Sequence, residues 1–166
     1  PNPFTVIATQ NDVETGRTYE LPVAEIDRFA KKIRLGYPTE AEETELLGRV
    51  AGEHPIESLQ AVATIEDVLR TRQTVDEVTV REPVRAYVSR LAGYTRENAR
   101  LGVSPRGAIA LLEAAKARAL LESRDYVIPD DVQHEAHVVL PHRIRLEGER
   151  GGTELVEEAL ESVPIE

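Results

Sequence analysis

The spacing of apolar residues along the chain changes period once, near position 38. Phe4-Thr5-Val6-Ile7-Ala8 is a short β-branched run closed by the polar cluster Thr9-Gln10-Asn11-Asp12. That is the pattern of a central strand in an α/β sheet, ending at the edge where such folds bind ligands. Thr15 to Tyr19, with Gly16, reads as a loop. Pro22 then opens a helix expected to run through Ala30, with Val23, Ile26 and Ala30 at helical spacing. A second strand is expected at Lys32 to Leu35, stopped by Gly36-Tyr37-Pro38. Two short strands do not make a stable sheet, so their neighbours are expected upstream, and the opening at Pro1 directly into a strand pattern reads as a piece of a longer protein.

From Thr39 onward the period is helical. Thr39-Glu40-Ala41-Glu42 resembles a capping box opening a helix through about Ala51, with Leu46, Leu47 and Val50 on one side, before His54-Pro55. Thr64-Ile65-Glu66-Asp67 starts the next, expected to carry Val68, Leu69 and Val75 inward. Glu77 to Val80 is a turn or short extended piece. Pro83 opens a helix with Val84, Tyr87, Val88 and Leu91 in register. Ser104 is a good N-cap with Pro105 at the first helical position, and this longest helix is expected through Arg124 with Ala108, Leu111, Leu112, Ala115 and Ala119 on its apolar face. After an extended link at 125–128, Pro129-Asp130-Asp131 begins another helix broken at Pro141, and Val156 and Leu160 mark a last amphipathic one.

Composition narrows the class. At 166 residues and 41% hydrophobic the chain is long enough for a genuine core, and with no cysteine it is not a disulfide scaffold. No apolar run approaches the roughly 20 residues a membrane helix needs, and no charged-apolar-small leader opens the sequence, so a soluble, cytoplasmic protein with no membrane partner is expected. The net charge of −10 repels phosphate backbones and argues against nucleic acid as the main partner. Only three of the 20 basic residues are lysine, a balance that either a salt-adapted cytoplasm or a GC-rich genome produces.

The candidate chemistry is sparse. Asn11, just past a strand end, either orients a water or a phosphate oxygen or simply turns the chain. Arg106 sits in the first turn of a helix, where the macrodipole disfavours a cation unless an anion is nearby; with the free N–H groups of that turn it makes either a phosphate site or a solvated surface residue. Asp27-Arg28 taken alone is a surface ion pair. His134, His137 and His142 do not have zincin spacing and no metal site is expected, whereas His142-Arg143 after Pro141 suits hydrogen bonds to helix ends. The sequence holds no G-x-x-x-x-G-K-[ST], G-x-G-x-x-G or G-x-S-x-G and no complete active site.

Three blocks, 6–11, 19–29 and 33–38, resemble consecutive blocks of the MoxR family of AAA+ ATPases, and 102–106, 124–132 and 142–144 resemble blocks of its lid domain in the same order. The resemblance implies the last strands of an α/β nucleotide-binding core over 1–38, followed by an all-α helical lid over 39–166, mostly α overall. It implies Asn11 as the sensor-1 residue positioning the attacking water and Arg28 as the arginine finger reaching a neighbouring subunit. It further implies Arg106, flanked by Ser104 and Pro105, as sensor 2 on its own subunit's nucleotide. ATP and Mg²⁺ are the implied cofactors, with the phosphate loop and Mg²⁺-binding acidic pair expected upstream, so this stretch alone is expected to be inactive. A hexameric ring and partners bearing von Willebrand factor A domains are likewise implied for a chaperone-like remodelling ATPase. Asp12, where the family often has proline, and Val23, where an acidic residue is common, depart from the pattern. They support an alternative: a non-catalytic helical interaction module with a decayed nucleotide site.

Overall fold

The computed structural model describes residues 2–10, 21–50, 55–148 and 151–165. It contains helices α1 (Val23–Ile26), α2 (Glu40–Val50), α3 (Ile65–Glu77), α4 (Glu82–Asn98), α5 (Pro105–Leu121), α6 (Pro129–Val139) and α7 (Gly152–Ser162), with 3-10 turns at Pro55–Ser58 and Pro141–Arg143. The mostly helical architecture is the one the period change predicts.

A single core is built by α4 to α7. Tyr87 and Leu91 of α4, Leu111, Ala115 and Ala119 of α5, Val132, Ala136 and Val139 of α6, and Leu155, Val156 and Ala159 of α7 are almost wholly buried together. Helical spacing puts each set on one face, and small alanines facing branched residues let the axes approach. Two isolated bridges tie the loops. Thr79 pairs in parallel with Tyr126 and Leu101 antiparallel with Arg145.

Helix ends explain the boundaries. In α3, Thr64 Oγ1 accepts from Asp67 N–H and the Asp67 carboxylate accepts from Thr64 N–H, a complete capping box. The expected extension of α5 to Arg124 stops at Leu121. Ser123 adopts φ of 59°, its N–H donates to Leu120 O at 2.9 Å, and Arg124 N–H donates to Ala119 O at 2.8 Å. This is a Schellman ending made without glycine, which hides it from sequence inspection. The helix expected from Pro22 through Ala30 stops at Ile26, because Arg28 and Phe29 close i→i−3 turns and the carbonyls beyond are taken by another side chain.

Two expectations are corrected. Residues 4–8 and 32–35 carry no strand pairing among the described residues. A strand needs the N–H and C=O groups of a neighbour. Without one, Ile7 is 89% exposed and Leu35 95%. Nor does α3 carry Val68, Leu69 and Val75 into the core, since no residue of α3 is buried; the helix lies against α5 at the edge of the bundle. The described side chains of α2, Leu46 and Leu47 included, are exposed. No described helix is long and apolar enough to cross a membrane.

Candidate functional site

The turn between α4 and α5 sets the geometry. Thr95, fully buried, donates through Oγ1 to Ala92 O and accepts from Val103 N–H at 3.0 Å. Arg96 Nε donates to Val103 O at 2.8 Å. Gly102 packs so closely that an added Cβ would lie 2.5 Å from Arg96 Cα, so the backbone passes where no side chain fits. The next residues are thereby delivered to the start of α5.

There Ser104 does two jobs. Its Oγ caps α5 by accepting from Gly107 N–H at 3.1 Å, and it donates to Asp27 Oδ2 at 2.9 Å. Pro105 presets the first helical φ and, lacking an N–H, offers no donor to a ligand. Arg106 follows on the surface, 63% exposed at its side chain, with Nη1 3.9 Å from Asp27 Oδ2. The hydroxyl expected to face a nucleotide is thus already engaged by Asp27.

Asp27 is in turn held by Arg143, whose side chain is only 2% exposed. Arg143 Nε donates to Asp27 Oδ1 at 2.9 Å, Nη2 to Phe29 O at 2.7 Å and to Asp27 O at 3.3 Å, and Nη1 to Ala30 O at 3.2 Å and to Val139 O. The Val139 contact is a helix-end bond of the kind expected for this His-Arg pair. The other contacts are long-range and have no local signature. The planar fork matches several oxygens at once, which an ammonium does not. Gly107 lies against it: a Cβ there would sit 2.7 Å from Arg143 Cδ and 2.8 Å from Val103 Cγ1. Burial works against the Arg143 charge, while Asp27 restores it by charge and hydrogen bond.

His142 packs beside this fork, its Nε2 2.7 Å from Arg143 Nη1 and 3.2 Å from Phe29 O. Burial above all, and then the neighbouring guanidinium, push its pKa down to about 4, against a weaker opposing pull from the Phe29 carbonyl. The ring is therefore neutral at pH 7, with Nδ1 buried and without a hydrogen-bond partner among the described residues. Docking continues along the segment: Lys32 N–H donates to Val138 O at 2.9 Å, and Lys31 Nζ lies 2.5 Å from Glu135 Oε2. The 27–32 segment is thus fastened to the end of α6 and the start of α5.

The Arg28 side chain is exposed and makes no hydrogen bond or ion pair with the described residues. The structure therefore brings Asp27, Ser104 and Arg106 together and leaves Arg28, the next residue after Asp27, facing water. Asn11 and Asp12 lie outside the described residues. His134 and His137 are exposed on α6 while His142 is buried. No cluster of three or more His, Asp or Glu suited to a metal ion occurs among the described residues. Sequence inspection missed the partnership of Asp27 with Arg143, since the two sit 116 positions apart. Chemically, the site presents an anchored carboxylate with the exposed Arg106 guanidinium 3.9 Å from it and a second exposed arginine, Arg28, on the next residue of the chain, cations of the kind that bind anions.

Residues 91–163 match the AAA lid domain family. The chain is 47% identical over 150 residues to the uncharacterised YeaC protein of Bacillus subtilis (89% of this chain, 47% of that protein). It is 38% identical over 157 residues to the chaperone MoxR1 of Mycobacterium tuberculosis (88% of this chain, 41% of that protein). A crystal structure of a candidate ATPase from Cytophaga hutchinsonii superposes with a TM-score of 0.90 at 36% identity, covering 99% of this chain and 55% of that one. The chain spans just under half the length of the two curated relatives.

Proposed function

The chain belongs to the MoxR family of AAA+ ATPases, and from that premise we propose that it supplies charge and position to ATP hydrolysis at a subunit interface of a ring. The observation that carries this reading is the fastening of Asp27 by Arg143 and Ser104, which leaves Arg28 on the surface with its charge unneutralised among the described residues. Phosphoryl transfer is catalysed mainly by positioning and by stabilising charge on the transferred group, and a guanidinium held in place by its backbone suits that task. Arg28 acts as the finger on a neighbouring subunit's γ-phosphate.

Arg106 approaches the same carboxylate from α5. As sensor 2, Arg106 contacts the nucleotide bound to its own subunit. Asn11 orients the attacking water. The phosphate loop and the Mg²⁺ ligands belong to a segment outside this chain, and bound Mg²⁺ would neutralise charge on the phosphates; this chain's own contribution is Asn11, Arg28, Arg106 and the frame that holds the arginines. Residues 1–38 form the end of the nucleotide-binding core and 39–166 the lid. Assembly into a hexamer, chaperone-like remodelling and partners with von Willebrand factor A domains are the working expectations for the whole cytoplasmic protein.

The test is ATP turnover and nucleotide binding by the full-length protein, native and Arg28→Ala. Turnover is expected to fall about 10³-fold or more with binding retained. A native protein that turns nothing over would favour the non-catalytic interaction module, and an unimpaired Arg28→Ala would remove the finger from this position.

A further inference from the structure

Arg143 grips the carbonyls of Asp27, Phe29 and Ala30, the residues immediately around Arg28 but not Arg28 itself. Its Nε takes one oxygen of the Asp27 carboxylate, and Ser104, the cap of α5, takes the other. The ion pairs of Asp27 among the described residues are with Arg143 and Arg106, and Arg28 is not folded back onto it. Because Ser104 Oγ bonds both Gly107 N–H and Asp27, the direction of α5 and the placement of the arginine loop share one hydroxyl.

We infer that Asp27 is a positioning residue for Arg28, the joint through which Arg143 and the α5 cap hold the arginine loop in its working register. The inference rests on the finger reading of Arg28 and adds to it the element that sets the finger's place. Displacing a catalytic group by about 1 Å costs on the order of 10²-fold in rate, so a joint of this kind reads out in kcat and not in binding.

The experiment is a double-mutant cycle in steady-state ATP hydrolysis by the full-length protein, with Asp27→Asn, Arg28→Ala and the two combined, and with nucleotide affinity measured separately. Asp27→Asn keeps the shape of the side chain and removes its charge. It is expected to lower kcat about 10- to 100-fold with nucleotide affinity changed less than about twofold. In the Arg28→Ala background the same change is expected to have almost no further effect, because its route to the chemistry is already gone. A merely structural role would instead give multiplying losses, which overturns the inference while the finger reading stands, as does an unchanged kcat for Asp27→Asn. An unimpaired Arg28→Ala overturns both. Should Asp27→Asn fail to unfold cooperatively, Ser104→Ala carries the same cycle from the α5 side, with the same non-additivity against Arg28→Ala expected and multiplying losses again overturning the joint.

Discussion

Arg143 Nε and Asp27 Oδ1 meet at 2.9 Å across 116 positions of the chain, and the guanidinium is almost completely buried there. Such a group is tolerated inside only when oxygens surround it, and here one carboxylate and four backbone carbonyls do so. The pair closes the gap between the arginine loop and the end of α6.

Removing the fork should therefore cost far more than removing a surface charge. Arg143→Leu strips the Asp27 carboxylate of its buried cation, leaving it Ser104 and the more distant Arg106, and leaves the carbonyls of Phe29 and Ala30 without that donor; it is expected to destabilise the protein by about 3–5 kcal/mol. Arg143→Lys keeps the charge but not the fork, and should fall between it and the native protein. Urea denaturation midpoints check the order; a native-like Arg143→Leu would show that water or a neighbour satisfies these groups as well.

Gly107 offers a sharper test of the same seam, since glycine to alanine in a helix ordinarily stabilises. At Gly93 in α4 nothing lies within 4 Å of an added Cβ, and Gly93→Ala is expected to gain about 0.5–1 kcal/mol. At Gly107 the added Cβ meets Arg143 Cδ and Val103 Cγ1 below 3.0 Å, and neither can move far in a packed core. Gly107→Ala is expected to lose about 1–3 kcal/mol. Thermal melting of the two variants should move in opposite directions.

The pH dependence has a definite sign. His142 is neutral in the fold with its pKa pushed down to about 4, against about 6.5 in the unfolded chain. The unfolded state binds the proton more readily, so this contribution is complete above about pH 6.5 and drains away as pH falls toward 4, by up to about 3 kcal/mol. Asp131 acts in a lower window: its own burial pushes it up, but the Arg124 fork and the Ile128 N–H outweigh that and hold it below the usual carboxylate range. Its contribution is present above about pH 4 and lost below. His142→Gln is expected to flatten the stability profile between pH 6.5 and 4.5 while leaving the more acidic loss in place. Urea titrations at successive pH values distinguish the two.

The parts of this architecture that were legible in the sequence are those written in short-range spacing. Val84, Tyr87, Val88 and Leu91 recur at the helical period and are all buried in α4. Thr64 and Asp67 announce the start of α3, and Ser104-Pro105 the start of α5. The ending of α5 was hidden because Ser123 takes the left-handed conformation that glycine usually signals. The site was half legible. Arg28 and Arg106 were visible as cations at interesting places, but Asp27, next to Arg28 in the chain and 3.9 Å from Arg106, looked like a surface partner, because nothing local marks a carboxylate whose guanidinium lies beyond α6. Residues 4–8 and 32–35 carry strand composition but make no strand pairing among the described residues.

That last mismatch is itself testable. Ile33, Leu35 and Tyr37 stand open to water at 72%, 95% and 98%, while their composition suits a buried strand. If they complete a sheet whose other strands come from a segment outside this chain, Ile33→Ser with Leu35→Ser removes nothing from the helical core. In the 166-residue chain the pair is expected to leave the melting temperature of the α4–α7 bundle unchanged and to reduce self-association, because about 25 cal/mol per Å² of exposed apolar surface no longer drives it. In the full-length protein the same pair should cost about 2 kcal/mol or more for each buried side chain lost and lower ATP turnover by loosening the loop that carries Arg28. Sedimentation of the chain and melting of the full-length protein read these effects independently. A full-length protein as stable with serine at both positions as without would show that these residues stay exposed there too, and that 32–35 is not a strand in the assembled core.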